Sequence, residues 1–497
     1  VLFPASAAQA KSPQPKLSSV SATGLSITVK GSAKLPAKKS LHGKKLTVKV
    51  SVLPATGKAI TKSASLKAKR KAATVKFKVS LKTKAAGTFK VSAQLYLGKK
   101  KLGKASKSKS LNVTAPAGPT GDPTAPGVPV SVGGGSSCTA IGGKLKCWGA
   151  GPEVGAGSND PSPTATTTLN DLGVTAFRFS VGAVNSCALV NGYAKCWGQG
   201  YYGGIGNGTS GSGSDSNVPV QVTGITGGGT SISVGNVHAC AVNNAKVQCW
   251  GQNQYGQLGR GSTSPVGSEP QDISAPPGFG TPYKVAAGST FTCANTSSGI
   301  WCWGNNGAGQ LGVDPASTPT GYSNVPVHVG GVLAGITYIT EFDLSVGNDH
   351  ACAQMGGHAY CWGSNIYGQL GSSAVPTGGA SHSWQPVSPD VLPIDRVATI
   401  SAGFFVTCAI STGTARCWGQ NDQGQVGNGT IGPPVTTPTQ VVGFASGASS
   451  ISAGWYHTCG SQGTVVKCWG ASGGGWYLGD GVDYPSGTGT PVTVKGL

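Results

Sequence analysis

The sequence predicts an all-β protein in two parts: a seven-fold repeat, and ahead of it a small lysine-rich β-sandwich. Three observations predict this. Cysteines recur seven times in pairs nine positions apart, and none is left over. Each second cysteine is followed by Trp-Gly. Ahead of the repeats, apolar and polar residues alternate with period two, the pattern of a half-buried strand. Glycine is abundant, at 81 of 497 residues, but without a Gly-x-y period, and there is one methionine. Such a composition suits turns and short strands and leaves little from which to build helix.

Residues 1–23 read as an export-signal remnant or an extended N-terminal arm. Ala8-Gln9-Ala10 has the small-x-small shape of a signal cleavage site. A mature chain starting at Val1 would instead carry an apolar arm able to pack on a partner. Residues 11–23 read as a flexible or extended lead-in. From Leu25 the period-two pattern begins. Leu46, Val48, Val50 and Val52 share one face, with Thr47, Lys49 and Ser51 on the other. Val75, Phe77, Val79 and Leu81 form a second such set, and Phe89, Val91, Ala93, Leu95 and Leu97 a third. Residues 24–114 therefore read as a lysine-rich immunoglobulin-like sandwich. Residues 115–127 hold four prolines and read as a semi-stiff linker.

Charge divides the same way. Of 37 Lys and Arg, 26 lie within residues 1–115, where no Asp or Glu occurs. The other 11 share residues 116–497 with all 16 acidic residues. The lysines fit attachment to an anionic cell-surface polymer. They also fit a solvated outer face that keeps strand edges apart. Arg70 is the sole arginine there, which argues against nucleic acid as a dedicated ligand, because base and phosphate forks favour arginine.

The repeats occupy residues 128–497. The pairs are Cys138 with Cys147, Cys187 with Cys196, Cys240 with Cys249, Cys293 with Cys302, Cys352 with Cys361, Cys408 with Cys417 and Cys459 with Cys468. A two-residue turn centred between each pair, such as Gly142-Gly143 or Asn191-Gly192, makes the cysteines directly opposed on a hairpin. Opposed residues can bring their Cβ atoms to disulfide separation. Seven hairpin disulfides follow. The rival, paired metal thiolates, lacks both C-x2-C spacing and a regular histidine partner. The disulfides predict an oxidising compartment, hence a secreted or cell-surface protein. No run is long enough for a transmembrane helix.

The units resemble the chromosome-condensation-regulator type (RCC1-like) repeat. The residues that carry the resemblance are Ser345-Val-Gly-Asn-Asp-His-Ala-Cys-Ala353, Tyr360-Cys-Trp-Gly363 and Asn365-Ile-Tyr-Gly-Gln-Leu-Gly371. The resemblance implies a seven-bladed β-propeller over residues 128–497. The last apolar segment, Val492–Val494, has no cysteine core after it, and the first core lacks such a segment before it. The C-terminal strand is therefore expected to complete the first blade. The repeated tryptophans Trp148, Trp197, Trp250, Trp303, Trp362, Trp418 and Trp469 read as packing between blades. Long polar segments at 152–172, 209–217, 263–280, 315–324 and 372–389 read as loops gathered on one face.

Function is expected in those loops. Tyr201, Tyr202, Tyr255, Tyr367, Trp384, Trp476 and Tyr477 are the candidate partner-binding residues, suited to a protein interface or to sugar stacking. His238, His350 and His457 stand two residues before a cysteine, each a blade or more apart, and read as packing rather than metal ligands. No paired-carboxylate spacing, nucleophile elbow or phosphate loop is present, so no catalytic residue and no cofactor is assigned. The reading is an exported non-enzymatic binding or structural protein, with adhesion or self-assembly as its work. The alternatives are a secreted inhibitor of an enzyme and an extracellular carbohydrate-active enzyme.

Seven bridges predict that reduction adds about 14 Da to the intact mass, two hydrogens per bond. Mass spectrometry of the non-reduced and reduced chain checks this; an unchanged mass overturns the pairing.

Overall fold

A computed structural model describes eight strands between residues 15 and 113, and residues 128–169, 177–318, 320–334, 342–379, 381–389 and 397–497. The chain divides into two compact units, residues 1–117 and 118–497.

In the first unit the strands form two antiparallel sheets. Pro15–Thr23, Ser26–Lys34 and Thr74–Lys82 make one. Leu46–Pro54, Ile60–Ser65, Gly87–Leu97, Lys100–Leu102 and Lys109–Val113 make the other. Val48 and Val50 are fully buried, on the face that the alternation assigns them. An immunoglobulin-like sandwich as a separate domain is not shown; two antiparallel sheets are. Pro15–Thr23 is not a lead-in but a strand paired along its length with Ser26–Lys34. The pairing register shifts between Leu17 and Ser19, and in the sequence Leu17 and Val20 stand three apart, out of a period of two. The linker 115–127 lies outside the described residues.

The second unit is the seven-bladed β-propeller. Each blade is a four-stranded antiparallel sheet of strands consecutive in sequence. The third blade shows the plan: Gly229–Val234 innermost, then His238–Asn243, Lys246–Gln252 and Val266–Asp272 outermost. Innermost strands touch those of neighbouring blades right round the ring, the seventh against the first included.

The cysteines sit on the two middle strands of each blade, directly opposed in register. The disulfides join Cys138 to Cys147, Cys187 to Cys196, Cys240 to Cys249 and Cys293 to Cys302 in blades one to four. Cys352 joins Cys361, Cys408 joins Cys417 and Cys459 joins Cys468 in blades five to seven. The positive φ that two-residue turns require appears at Gly142, Gly143, Asn191 and Gly192.

Ring closure differs from the expectation. The C-terminal strand Thr488–Thr493 pairs with Val465–Gly470 of the seventh blade, not with the first. The first blade supplies its own outermost strand, Ser162–Leu169, from a stretch that reads as a loop. Its Thr-rich sequence lacks the Val-Pro-Val that marks the outermost strands of blades two and four at 218–220 and 325–327. The segments 263–280 and 372–389 likewise contain outermost strands, Val266–Asp272 and His382–Val387. Blades one and seven meet side by side. Trp148 donates its indole N–H to the Tyr477 carbonyl, and Ala165 N–H bonds the Lys495 carbonyl. Val128, Val130, Val132, Trp148, Leu478 and Val494 share one core cluster across this seam.

A ring of backbone hydrogen bonds surrounds the axis. In each blade the turn after the innermost strand starts with glycine. The next residue donates its N–H to the matching glycine carbonyl of the following blade. The bonds run from Gly134 to Gly182, Ala183 to Gly235, Asn236 to Gly288, Ser289 to Gly347, Asn348 to Gly403, Phe404 to Gly454 and Trp455 back to Gly133, at 3.0–3.3 Å. A Cβ on Gly133, Gly235 or Gly347 would lie within 2.0 Å of the next blade's carbonyl oxygen, which excludes any other residue there. Beside this ring, serine Oγ atoms accept the next blade's strand N–H, as Ser131 does from Val181 and Ser452 from Val132.

One joint uses a buried ion pair instead. Lys284 of blade four meets Asp343 of blade five at 2.5 Å, and Asp343 also accepts the Ile400 N–H at 3.1 Å. Ser231 and Ser450 stand at the equivalent position in other blades and accept the same kind of N–H. Lys284→Met strips a buried carboxylate of its cation and is expected to destabilise the ring by about 3–5 kcal/mol. Adding Asp343→Ser should recover most of that loss. Urea unfolding of the single and double variants checks it; a double variant no more stable than Lys284→Met would refute the account.

Candidate functional site at one mouth of the ring

The blade plan decides which residues share a face. The glycine turns and the connections between third and fourth strands lie at the same end of the ring, because the start of each second strand pairs with the end of the third. The cysteine hairpin turns lie at the other end. Six of the seven candidate aromatics, Tyr201, Tyr202, Tyr255, Tyr367, Trp476 and Tyr477, sit in third-to-fourth-strand connections and so belong to one face. Trp384 sits on an outermost strand, half-buried.

These residues do not form one cluster. Tyr201 and Tyr202 pair edge to face at 5.1 Å, both exposed. Tyr255 is exposed in the third blade's connection. Tyr367 and Tyr477 instead join residues that the sequence reading passed over. Tyr367 lies 4.7 Å from Phe405, Phe405 4.4 Å from Phe404, and Phe404 4.4 Å from Trp455. The chain of rings continues from Trp455 to Tyr456 at 6.0 Å and from Tyr456 to Tyr477 at 6.5 Å, nearly parallel. Phe404, Phe405, Trp455 and Tyr456 are the turn residues of blades six and seven. The corresponding residues are Asn236-Val237, Ser289-Thr290 and Asn348-Asp349 in blades three to five, and Gly134-Gly135 in blade one. Tyr477 packs against Gly135, where a side chain would collide with its ring. An aromatic crescent thus occupies one sector of the mouth. The signal for it was positional: two large rings after the turn glycine in two consecutive repeats.

Glu153 stands beside this crescent. It is buried, and burial pushes its carboxyl up to about 7, with the nearby Asp215 carboxylate adding to the rise. A Gln199 hydrogen bond opposes that shift. Asp349, at the blade-five turn, is also raised by burial; it accepts hydrogen bonds from Gln310 and Asn348.

Beneath the mouth, blades are joined by a repeated hydrogen-bond set. All seven repeated tryptophans are fully buried, and each indole N–H bonds a carbonyl of the preceding blade. The Gln257 carbonyl takes both the Trp303 indole and the Thr292 hydroxyl; Gln369 does the same for Trp418 and Thr407. Because the Thr292 hydroxyl proton goes to Gln257, His238 Nε2–H must donate to its oxygen, at 2.9 Å. His350 and Thr407 repeat this arrangement. His457 pairs with Ser137 across the closing seam. The histidines are thus inter-blade links. Among the described residues no group of three or more His, Cys, Asp or Glu is placed to hold a metal ion.

Models of the regulator of chromosome condensation (RCC1) repeat match residues 245–294, 356–410 and 413–460, with a second form of the repeat at 283–310. The ultraviolet-B receptor UVR8 of Arabidopsis thaliana is 30% identical over 367 residues, covering 71% of this chain and 79% of the receptor. The chain belongs to the RCC1 repeat family. The human probable E3 ubiquitin-protein ligase HERC4 is 31% identical over 204 residues, 40% of this chain but only 18% of the ligase. Among solved structures, Prp20p of Saccharomyces cerevisiae superposes with a TM-score of 0.59 at 19% identity, over 71% of this chain and 86% of that one. Human WBSCR16 gives a TM-score of 0.56 at 16% identity, over 85% and 100%.

The secreted or cell-surface location is overturned by these relatives. The solved RCC1-type proteins, Prp20, including its Kap60-bound form, and WBSCR16, are nuclear or cytoplasmic. The physical reason is that nine-residue spacing reports two sulfurs opposed across a hairpin. It reports no compartment.

The three buried histidines carry a pH prediction. Burial pushes each down to about 3 from an ordinary 6.5. A base held below its unfolded value keeps its stabilising effect above pH 6.5 and loses it as pH falls from there towards 3. The melting temperature should therefore fall steadily below pH 6.5. Phe291 fills the same position in blade four, fully buried. Replacing all three histidines by Phe should flatten the acid limb; thermal melts from pH 8 to 4 check it, and an unchanged slope would refute it.

Proposed function

We propose that this chain is a non-enzymatic protein-interaction propeller that docks its partner on the aromatic sector that runs from blade five through blade seven to the edge of blade one. One observation carries the reading. The seven mouth turns share a single backbone hydrogen-bond ring, yet large rings crowd only two adjacent turns and the neighbouring Tyr477. A structural role would recur in every repeat. Tyr456 is 44% exposed, and aromatic groups half open to water are favoured anchors at protein interfaces. One solved relative supports the class of function: Prp20p has binding properties towards Gsp1p and histones, and the same yeast protein is seen bound to Kap60. Tyr201, Tyr202, Tyr255 and Trp476, on the same face, form the outlying part of the surface. The lysine-rich strands ahead of the ring are proposed to stack as an immunoglobulin-like sandwich. With 26 basic and no acidic residues in residues 1–115, that part suits an anionic partner.

The test is capture with cross-linking. Full-length protein and its Trp455→Ser/Tyr456→Ser variant are compared as baits, with Tyr193→Ser, exposed beside a cysteine hairpin turn at the opposite end of the ring, as the control. The double variant should lose a discrete partner whose cross-links map to the sector from blade five to blade one, while the control keeps it. Equal capture by all three would refute the sector as the docking site. A glycan array bound through the same residues would replace the protein partner with a sugar.

A further inference from the structure

The repeat itself marks one residue as out of place. In every blade one backbone carbonyl accepts the indole N–H of the next blade. The residues that supply it are Glu153, Gly204, Gln257, Gln310, Gln369, Gln425 and Tyr477. Four blades place glutamine there, and its Oε1 accepts an N–H of its own turn. In three of the four the amide Nε2 also donates, to Asp349, Ser364 and Asp422, which an ionised carboxylate cannot do. Blade one instead places a carboxyl, 9% exposed, next to the blade that places Tyr477.

The two departures share one spot. Tyr477 covers Gly135, which lies against Ala150 and accepts its N–H, while the Glu153 carboxyl folds back over the following residue, Gly151. The titratable groups acting on Glu153 are the Asp215 carboxyl and the Tyr477 phenol, both acidic. Its hydrogen-bonding partners are its own backbone N–H and the neutral Gln199 amide. The carboxyl thus sits at the end of an aromatic crescent with acidic neighbours. Aromatic faces attract a cation, and a lysine or arginine stem packs along them while its charged end reaches further.

We infer that the partner inserts a lysine or arginine side chain along Tyr456 and Tyr477 to pair with the Glu153 carboxylate. This rests on the docking reading above and narrows it to a basic protein segment. Charge complementarity supports it: residues 116–497 carry 16 acidic against 11 basic residues. Since burial holds Glu153 at about 7, an arriving cation must ionise it, so binding should strengthen as pH rises through that value.

The test uses the full chain and fluorescence anisotropy. The probe is a labelled ten-residue peptide rich in arginine and lysine; an uncharged Ser/Gln-rich peptide of equal length is the control. The basic peptide should bind saturably at pH 8, more weakly at pH 6, and weaken at least about tenfold with Glu153→Gln. Glutamine is the residue other blades use, so this variant keeps the fold, as a tryptophan-fluorescence melt will verify. Tyr456→Ser should weaken binding as well. Binding unchanged in Glu153→Gln but lost in Tyr456→Ser overturns the cation inference and leaves the docking sector standing. Binding unchanged in both overturns both. Failure of the basic peptide to bind at all overturns the inference, while the cross-linking comparison decides the sector separately.

Discussion

The ring depends on one backbone carbonyl per joint. Where glutamine supplies it, that oxygen lies buried between blades and takes an indole N–H, in several joints together with a threonine hydroxyl of the same blade. Two lone pairs are then both used, and a loop carbonyl that would otherwise be stranded away from water is satisfied. The fully buried tryptophan behind it fills the space between sheets. The blade is stitched internally by its cysteines, but those bridges never leave the blade. Cohesion between blades comes from this carbonyl, the glycine ring and the serine contacts.

Much of this was legible in the sequence because it repeats. The cysteine spacing, the turn chemistry and the period between units give the hairpins and their register directly. Cys147, Cys196, Cys249, Cys302, Cys361, Cys417 and Cys468 each fall opposite the cysteine nine positions earlier, as a two-residue turn requires. The tryptophans read correctly as inter-blade packing because a residue present in every unit answers a need present in every unit. What escaped were departures from the pattern. Ser162–Leu169 reads as a loop because it lacks the Val-Pro-Val of blades two and four, and this misplaced the closing strand. Pro15–Thr23 reads as a lead-in because its Leu17 and Val20 stand three apart, out of a period of two. The location inferred from the cysteines failed because hairpin geometry fixes which sulfurs face each other and carries no information on the compartment.

The candidate site was less legible for a related reason. Tyr367, Phe405, Trp455 and Tyr477 come from three blades and lie up to 110 positions apart, so no local motif contains them. Only superposing the repeats on the ring brings blade one beside blade seven, and with it Glu153 beside Tyr477. A symmetric scaffold makes its own asymmetries readable: positions where several blades agree report folding, and adjacent positions where they disagree report selection for something else.

The seam between blades seven and one crosses no strand. Each blade is a continuous run of sequence, complete before the next begins. A blade is thus a cassette, and duplicating, deleting or reordering cassettes never cuts a sheet. The joint that closes the circle is made of the same bonds as the other six. Growth of such a chain by copying whole units needs no special end piece, only a number of copies whose turns add up to a full circle.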